Sequence, residues 1–308
     1  MAPAPPLRPD VLVLAGGGIV GEAWMHGVLA GLEDGTGVDM TAVEAFVGTS
    51  AGAIVAARLA AGRRPPRPPD PGGEPAPDGV APTTDERRAV ARLARGAARL
   101  GFAATAPLAG AAVAAGAPAG ALARSVLLGR AAGHGRPLAD LRARVQRWDA
   151  RFDGRLRVCA VDRGNGRRVV FGAPGAPAAG VADAVCASCA IPWVFAPVRI
   201  GDREYVDGGA WSLTNLDVAP AGRGTQLLCL DPIAGVTVAD RRVAAVHRAF
   251  RVASALELRG LARRGADVRH VTPDGAASAA LGADLMAPAR APGALAAGYR
   301  QGLLLGTV

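Results

Sequence analysis

Apolar residues in this chain fall into short blocks punctuated by glycine, and the blocks alternate between two periods. Residues 11–15 form an unbroken apolar run, the pattern of a strand buried on both faces. Residues 21–34 carry Trp24, Val28, Leu29 and Leu32 at helical spacing, and Gly35 and Gly37 close the segment. Residues 44–48 read as a second short strand. Residues 51–61 then read as a helix with no polar residue before Arg58, so apolar that it belongs inside the protein. Strand, helix, strand and helix in succession predict an α/β fold.

The middle of the chain breaks this rhythm. Residues 62–82 hold eight prolines, which exclude helix and central strand, and the stretch 62–83 reads as a linker or exposed loop. Helical patterns follow at 85–100 and 137–151, so 84–152 reads as a helical insertion. Between them, 101–120 is rich in Ala and Gly, but Pro107 and Pro118 interrupt it and argue against a membrane span. The α/β rhythm then resumes. Residues 155–161 and 167–171 read as strands joined by a hairpin-type turn, and 181–190 as a helix stopped by Pro192. Strands at 203–206, 225–230 and 268–271 and helices at 238–264 and 294–305 complete the prediction.

Composition adds less. The 308 residues allow one large domain, and a hydrophobic content of 50% is ample for a core. Aromatics make up only 4%, so that core must be built from Ala, Val and Leu. All 35 basic residues are arginine, and the net charge of +9 favours anionic partners such as phospholipid surfaces. The arginines are spread along the chain and no nucleic-acid-binding signature accompanies them, so no nucleic-acid partner is expected. The proline-rich N-terminus lacks the apolar stretch of a signal peptide. Cys159, Cys186, Cys189 and Cys229 make no disulfide framework; Cys186 and Cys189 lie in an Ala-rich helix with no nearby His, as buried small apolar residues do. These features point to a cytoplasmic protein, with peripheral attachment to a membrane as a variant of that expectation.

Candidate chemistry lies at the strand ends. Gly48-Thr49-Ser50-Ala51-Gly52 places a serine between glycines at ±2, the pattern of a sharp strand-to-helix turn that presents a nucleophile. Gly16-Gly17-Gly18-Ile19-Val20-Gly21, after the first strand, can offer backbone N–H groups to an oxyanion. The alternatives are a nucleotide-binding loop or a plain strand–helix turn, and no clear ribose-binding acid follows the second strand. Asp207-Gly208-Gly209 follows a later strand; it is either a simple turn or a carboxylate left unobstructed by its glycines. Ser50 needs a base, and two arrangements compete. One is an α/β-hydrolase triad, Ser50–Asp207–His270, although only one strand precedes that of Ser50. The other is a Ser50–Asp207 dyad.

In combination these motifs resemble the patatin-like phospholipase family. That family carries a glycine-rich oxyanion loop after its first strand, G-x-S-x-G after its second, and an Asp-Gly-Gly or Asp-Gly-Ala with the catalytic Asp. The approach Ala187-Ser188-Cys189-Ala190-Ile191-Pro192-Trp193-Val194-Phe195 is similar to the family's block before that motif, and residues 158–171 are also similar. The resemblance covers roughly 10–60 and 155–305 and implies a single domain over 1–308. It implies a three-layer α/β/α fold around a mainly parallel sheet, with the helical insertion as a lid or membrane-facing region. It implies a lipid acyl hydrolase working through a Ser50 acyl-enzyme with Asp207 as base. Gly16, Gly17 and Gly18 would form the oxyanion hole, with Gly21, Gly48, Gly52, Gly208 and Gly209 in support and no metal or cofactor. Val20 departs from the Arg or Lys usual before the last glycine of the first motif. The alternative of another class is a lipid- or protein-binding member that keeps the motifs structurally. Finally, Arg88, Arg92, Arg95 and Arg99 would form a basic helical stripe. Leu138, Leu141, Val145 and Trp148 would form an apolar one beside Arg142, Arg144, Arg147 and Arg151. Such stripes suit either the protein core or an anionic bilayer.

Overall fold

The structure is a computed structural model. It describes residues 7–69, 121, 124–126, 128–129, 137–234 and 241–307, with 241–247 and 249 described by backbone only. The basic stripe at 88–99, the Ala/Gly stretch at 101–120 and most of the segments 62–83 and 84–152 lie outside the described residues.

An α/β/α architecture surrounds one mostly parallel sheet. Strands β1 (Val11–Leu14), β2 (Ala45–Thr49), β3 (Leu156–Asp162), β7 (Gln226–Leu230) and β8 (Asp267–Val271) form its parallel part in the order β3-β2-β1-β7-β8. Beyond β3 the sheet turns antiparallel through β4 (Arg168–Phe171), β5 (Val198–Ile200) and β6 (Arg203–Asp207). The predicted hairpin is thus present as β3–β4. The three-residue β5 escapes a sequence reading because it is too short to show a period.

Side chains of alternate strand residues go to opposite faces. Leu12, Leu14, Phe46, Leu156, Val158, Leu228 and Leu230 enter the larger core, and Val11, Val13, Ala45, Val47, Cys159, Leu227 and Cys229 the smaller one. The larger face is covered by α1 (Gly18–Thr36), α2 (Ala51–Ala60), α3 (Ala139–Gln146), α4 (Val181–Cys189), α6 (Gly275–Leu281) and α7 (Ala291–Gly306). The smaller face is covered by α5 (Arg241–Arg263), through Leu258 and Leu261. α1 and α7 approach closely enough to exclude a Cβ at four glycine positions. A methyl on Gly27 or Gly31 would lie 2.1–2.2 Å from carbonyl oxygens of α7, and one on Gly298 or Gly302 2.2–2.4 Å from those of α1. Their register is pinned by Trp24 Nε1, which donates to Gln301 Oε1 at 3.0 Å.

The apolar stripe of the 137–151 segment packs inward. Leu141 and Val145 are buried in the larger core, with Leu138 and Trp148 against it. Arg142 pairs with Asp183, and Arg144 lies 3.5 Å from the buried Glu22. All four cysteines are free and buried, and burial pushes the Cys159 and Cys186 thiols up to about 12, as expected of packing residues. Among the described residues no helix is long and apolar enough to cross a membrane.

Candidate active site

Two strand ends meet on one edge of β3. Cys159 pairs with Thr49 of β2 and with Val170 of β4; Ala160 pairs with Asp207 of β6 and with Val169 of β4. Since β4 occupies one edge throughout, β2 and β6 share the other. They run toward each other and stop within one residue. Ser50 follows the last residue of β2, and Asp207 is the last residue of β6, so this topology alone brings the two together across 157 positions of sequence.

The turn at Ser50 has the strained geometry that its motif foretells. Ser50 sits at φ 53°, ψ −122°, a backbone region that non-glycine residues rarely adopt. The flanking glycines are steric necessities. A Cβ on Gly48 would lie 2.5 Å from the Ala53 Cα, and one on Gly52 would lie 1.9 Å from the Leu14 carbonyl oxygen. The chain then enters α2, whose first N–H groups point back at the turn. Ser50 is only 9% exposed.

Asp207 is buried, and its Oδ1 accepts the Gly209 N–H at 2.7 Å. Loss of solvent pushes its carboxyl up from 3.8 to about 7, against the opposing pull of the Gly209 N–H and the Ser50 hydroxyl. A carboxylate raised this far is a far better proton acceptor near neutrality than an ordinary Asp. Gly208 lies against β3, where a Cβ would come 2.3 Å from the Cys159 carbonyl oxygen.

The glycine loop after β1 lies beside this pair, and the Gly16 Cα carries no methyl that would otherwise sit 3.6 Å from the Ser50 Cβ. The Gly16 N–H is occupied, donating to the Leu213 carbonyl at 2.9 Å. The N–H groups of Gly17 and Gly18 have no acceptor among the described residues. Gly18, at φ 60°, begins α1, and Gly17 and Gly21 are pressed against Pro232. Gly16 therefore anchors the loop, while Gly17 and Gly18 hold donors in reserve.

His270 stands elsewhere. The register His270–Cys229–Val13–Val47 puts it three strands from β2, about 14 Å at ordinary strand spacing. Its Nε2 lies 3.3 Å from Asp231 Oδ2.

Several residues that complete the site carry no sequence signal of their own. Ser188 of α4 accepts the Ser50 N–H at 2.8 Å and donates to the Cys159 carbonyl at 2.7 Å, tying the turn to β3. Asn215 donates to Thr49 Oγ1 at 3.0 Å. The buried Glu257 of α5 accepts from Thr214 Oγ1 at 2.6 Å and the Leu216 N–H at 2.8 Å, fixing the loop that carries the Leu213 carbonyl. Arg124 donates to the Ala210 carbonyl at 3.1 Å and lies 4.5 Å from the Trp211 ring centroid, bracing the turn after Asp207; burial pushes its guanidinium down to about 10. Only Ser188 lies within a motif legible beforehand.

Comparison with known proteins places the chain in a family. The sequence pattern described as Patatin-like phospholipase matches residues 12–220, from β1 through the Asp207 turn. No curated protein matches the chain. Among solved structures, VipD from Legionella pneumophila is similar at 14% identity and a TM-score of 0.43, over 97% of this chain and 67% of that one. The matched span takes in the serine turn, the glycine loop and the aspartate turn alike, and the chain belongs to the patatin-like phospholipase family, whose members generally hydrolyse lipid esters.

Proposed function

We propose that this protein is a serine lipid acyl hydrolase working through a Ser50–Asp207 dyad. Asp207 takes the Ser50 hydroxyl proton as Oγ attacks the ester carbonyl carbon. The oxygen of that carbonyl becomes an oxyanion held by the N–H groups of Gly17 and Gly18, joined by Ala51 at the start of α2. Collapse breaks the ester C–O bond, and the departing alcohol receives the proton from Asp207. Water then loses a proton to Asp207 and attacks the acyl carbon; the bond from that carbon to Ser50 Oγ breaks, Oγ takes the proton back from Asp207, and a fatty acid leaves. Substrates are phospholipids, lysophospholipids or simpler acyl esters.

The reading is carried by one observation: a strained, shielded serine and a buried carboxyl of raised pKa stand at abutting strand ends. The distance of His270 from β2 favours a dyad over a triad.

A fluorophosphonate probe followed by peptide mapping tests it. The adduct is expected on Ser50, and Ser50→Ala is expected to lose at least about three orders of magnitude in ester hydrolysis, the scale of a deleted nucleophile. An adduct on Ser188 or Ser212, or full activity in Ser50→Ala, overturns the assignment.

A further inference from the structure

α5 crosses from β7 to the parallel β8 and shows two unlike faces. Its inner face buries Phe250, Ser254, Glu257 and Leu261. At 100° per residue the outer face is an arc holding Arg248, Arg251, Val252, Leu256, Arg259 and Arg263, every one exposed. Val252 and Leu256, one turn apart, are 54% and 41% exposed, two of the few large apolar side chains so presented among the described residues. Arginines bracket this apolar step at both ends. None of these four forms an ion pair among the described residues, and the only acid of the helix, Glu257, points inward.

The helix is also placed to matter to the site. Its C-terminal end packs at the start of the strands, where the Gly265 carbonyl accepts the Gly224 N–H. Its N-terminal half therefore runs toward the other end of the sheet, where Ser50 lies. Glu257 and Ser254 meet Thr214 in the loop whose Leu213 carbonyl holds Gly16.

We infer that the outer face of α5 docks on an anionic lipid bilayer. Val252 and Leu256 enter the boundary between headgroups and acyl chains, and the four arginines meet lipid phosphates, their alkyl stems lying along the surface. A second copy of this chain is a poor occupant, because a two-fold contact would set unpaired arginines against arginines. The inference rests on the proposed function only for the identity of the nearby site; binding is measurable without turnover.

The test is sedimentation of the full chain with phosphatidylglycerol or phosphatidylcholine vesicles at low and physiological salt. Wild type is expected to prefer phosphatidylglycerol and to be released by salt. Arg248→Gln/Arg251→Gln/Arg259→Gln is expected to weaken partitioning about a hundredfold, at roughly fivefold per arginine. Val252→Ser/Leu256→Ser is expected to weaken it about tenfold. Arg151→Gln, on an arginine outside α5 with 79% of its side chain exposed, should bind as wild type. Both α5 variants should keep their melting temperature and their hydrolysis of a small water-soluble ester. Equal partitioning by wild type and the triple variant overturns the inference, as does equal binding to both lipids. DNA binding lost in the triple variant without vesicle binding overturns it too and gives the face to nucleic acid. Vesicle binding through α5 in a protein that hydrolyses no ester supports the docking surface while refuting the hydrolase reading. Ester hydrolysis without vesicle binding does the reverse.

Discussion

The ends of β2 and β6 meet at one point of β3 but are built by different physics. At the end of β2 the backbone does the work: Ser50 is held at positive φ, glycines at ±2 make room, and Ser188 fixes the turn through the Ser50 N–H. At the end of β6 the environment does it. Asp207 has an ordinary backbone, φ −49° and ψ 132°, and owes its raised pKa to burial. Geometry prepares the candidate nucleophile, and desolvation prepares the candidate base. The two ends should therefore respond differently to mutation and to pH.

The largest effect is expected at Asp207. Asp207→Asn should cut ester hydrolysis by about three orders of magnitude or more, since the proton acceptor is gone. The same change should stabilise the fold at alkaline pH. With the folded pKa raised from 3.8 to about 7, the native state holds the extra proton between those values. Stability therefore falls as pH rises across that window, by about 4 kcal/mol in all. Asn carries no charge, and its oxygen can still accept the Gly209 N–H. Thermal melts should show Asp207→Asn above wild type at pH 8 and level with it near pH 4; no gain at pH 8 would mean that Asp207 is not desolvated as described. In wild type, kcat/KM should climb with pH through about 7, and the limb should move little with temperature, as carboxyl ionisation does and imidazole ionisation does not.

Ser188→Ala tests the other end. It leaves the buried Ser50 N–H without its acceptor, at a cost of about 1–3 kcal/mol in stability. A turn that loses its tie should misplace Oγ, so kcat is expected to fall about tenfold to a hundredfold with little change in KM. The midpoint of the pH profile should stay at the wild-type value, because Ser188 bonds the Ser50 N–H and the Cys159 carbonyl, while burial sets the Asp207 shift. A shifted midpoint would break the division between a geometric and an electrostatic end.

The same division explains what could be read beforehand. Steric demands leave glycines in the sequence, so Gly48, Gly52, Gly208 and Gly209 marked both turns. Burial leaves no such mark: nothing local to Asp207 announces a pKa near 7, and Glu257 reaches its loop from a helix 41 positions away. The strands of the parallel sheet were visible as apolar runs, whereas α6 was missed although Asp274 caps it by accepting the Ala277 N–H, a signal that a search for helix starts could have used. Arginines beside an apolar stripe proved ambiguous. In α3 the stripe is buried and Arg142 and Arg144 are ion-paired; in α5 an apolar step between arginines faces solvent. Composition is alike in the two, and only the neighbouring elements decide.

The smallest expected effect lies at Glu257, which acts on the site only through the 212–216 loop. Burial raises its pKa above the ordinary 4.5, while Thr214, Ser212 and the Leu216 N–H pull it back. Its ionised form therefore weakens the fold as pH rises above that ordinary value. In Glu257→Gln the amide oxygen can accept the same bonds from Thr214 and Leu216 without a charge. Hydrolysis should stay within about threefold of wild type, and stability at pH 8 should be equal or higher. Glu257→Ala instead strands a buried hydroxyl and a buried N–H, which should cost about 1–3 kcal/mol for each group left unpaired and loosen the Leu213 carbonyl that holds Gly16. Its loss in kcat should be smaller than that of Ser188→Ala, because Ser188 bonds the serine turn directly while Glu257 acts through two intervening contacts. If Glu257→Gln lost as much activity as Asp207→Asn, the negative charge at Glu257 would itself be required. The distinction between a base prepared by burial and a carboxylate that only accepts hydrogen bonds would then fail.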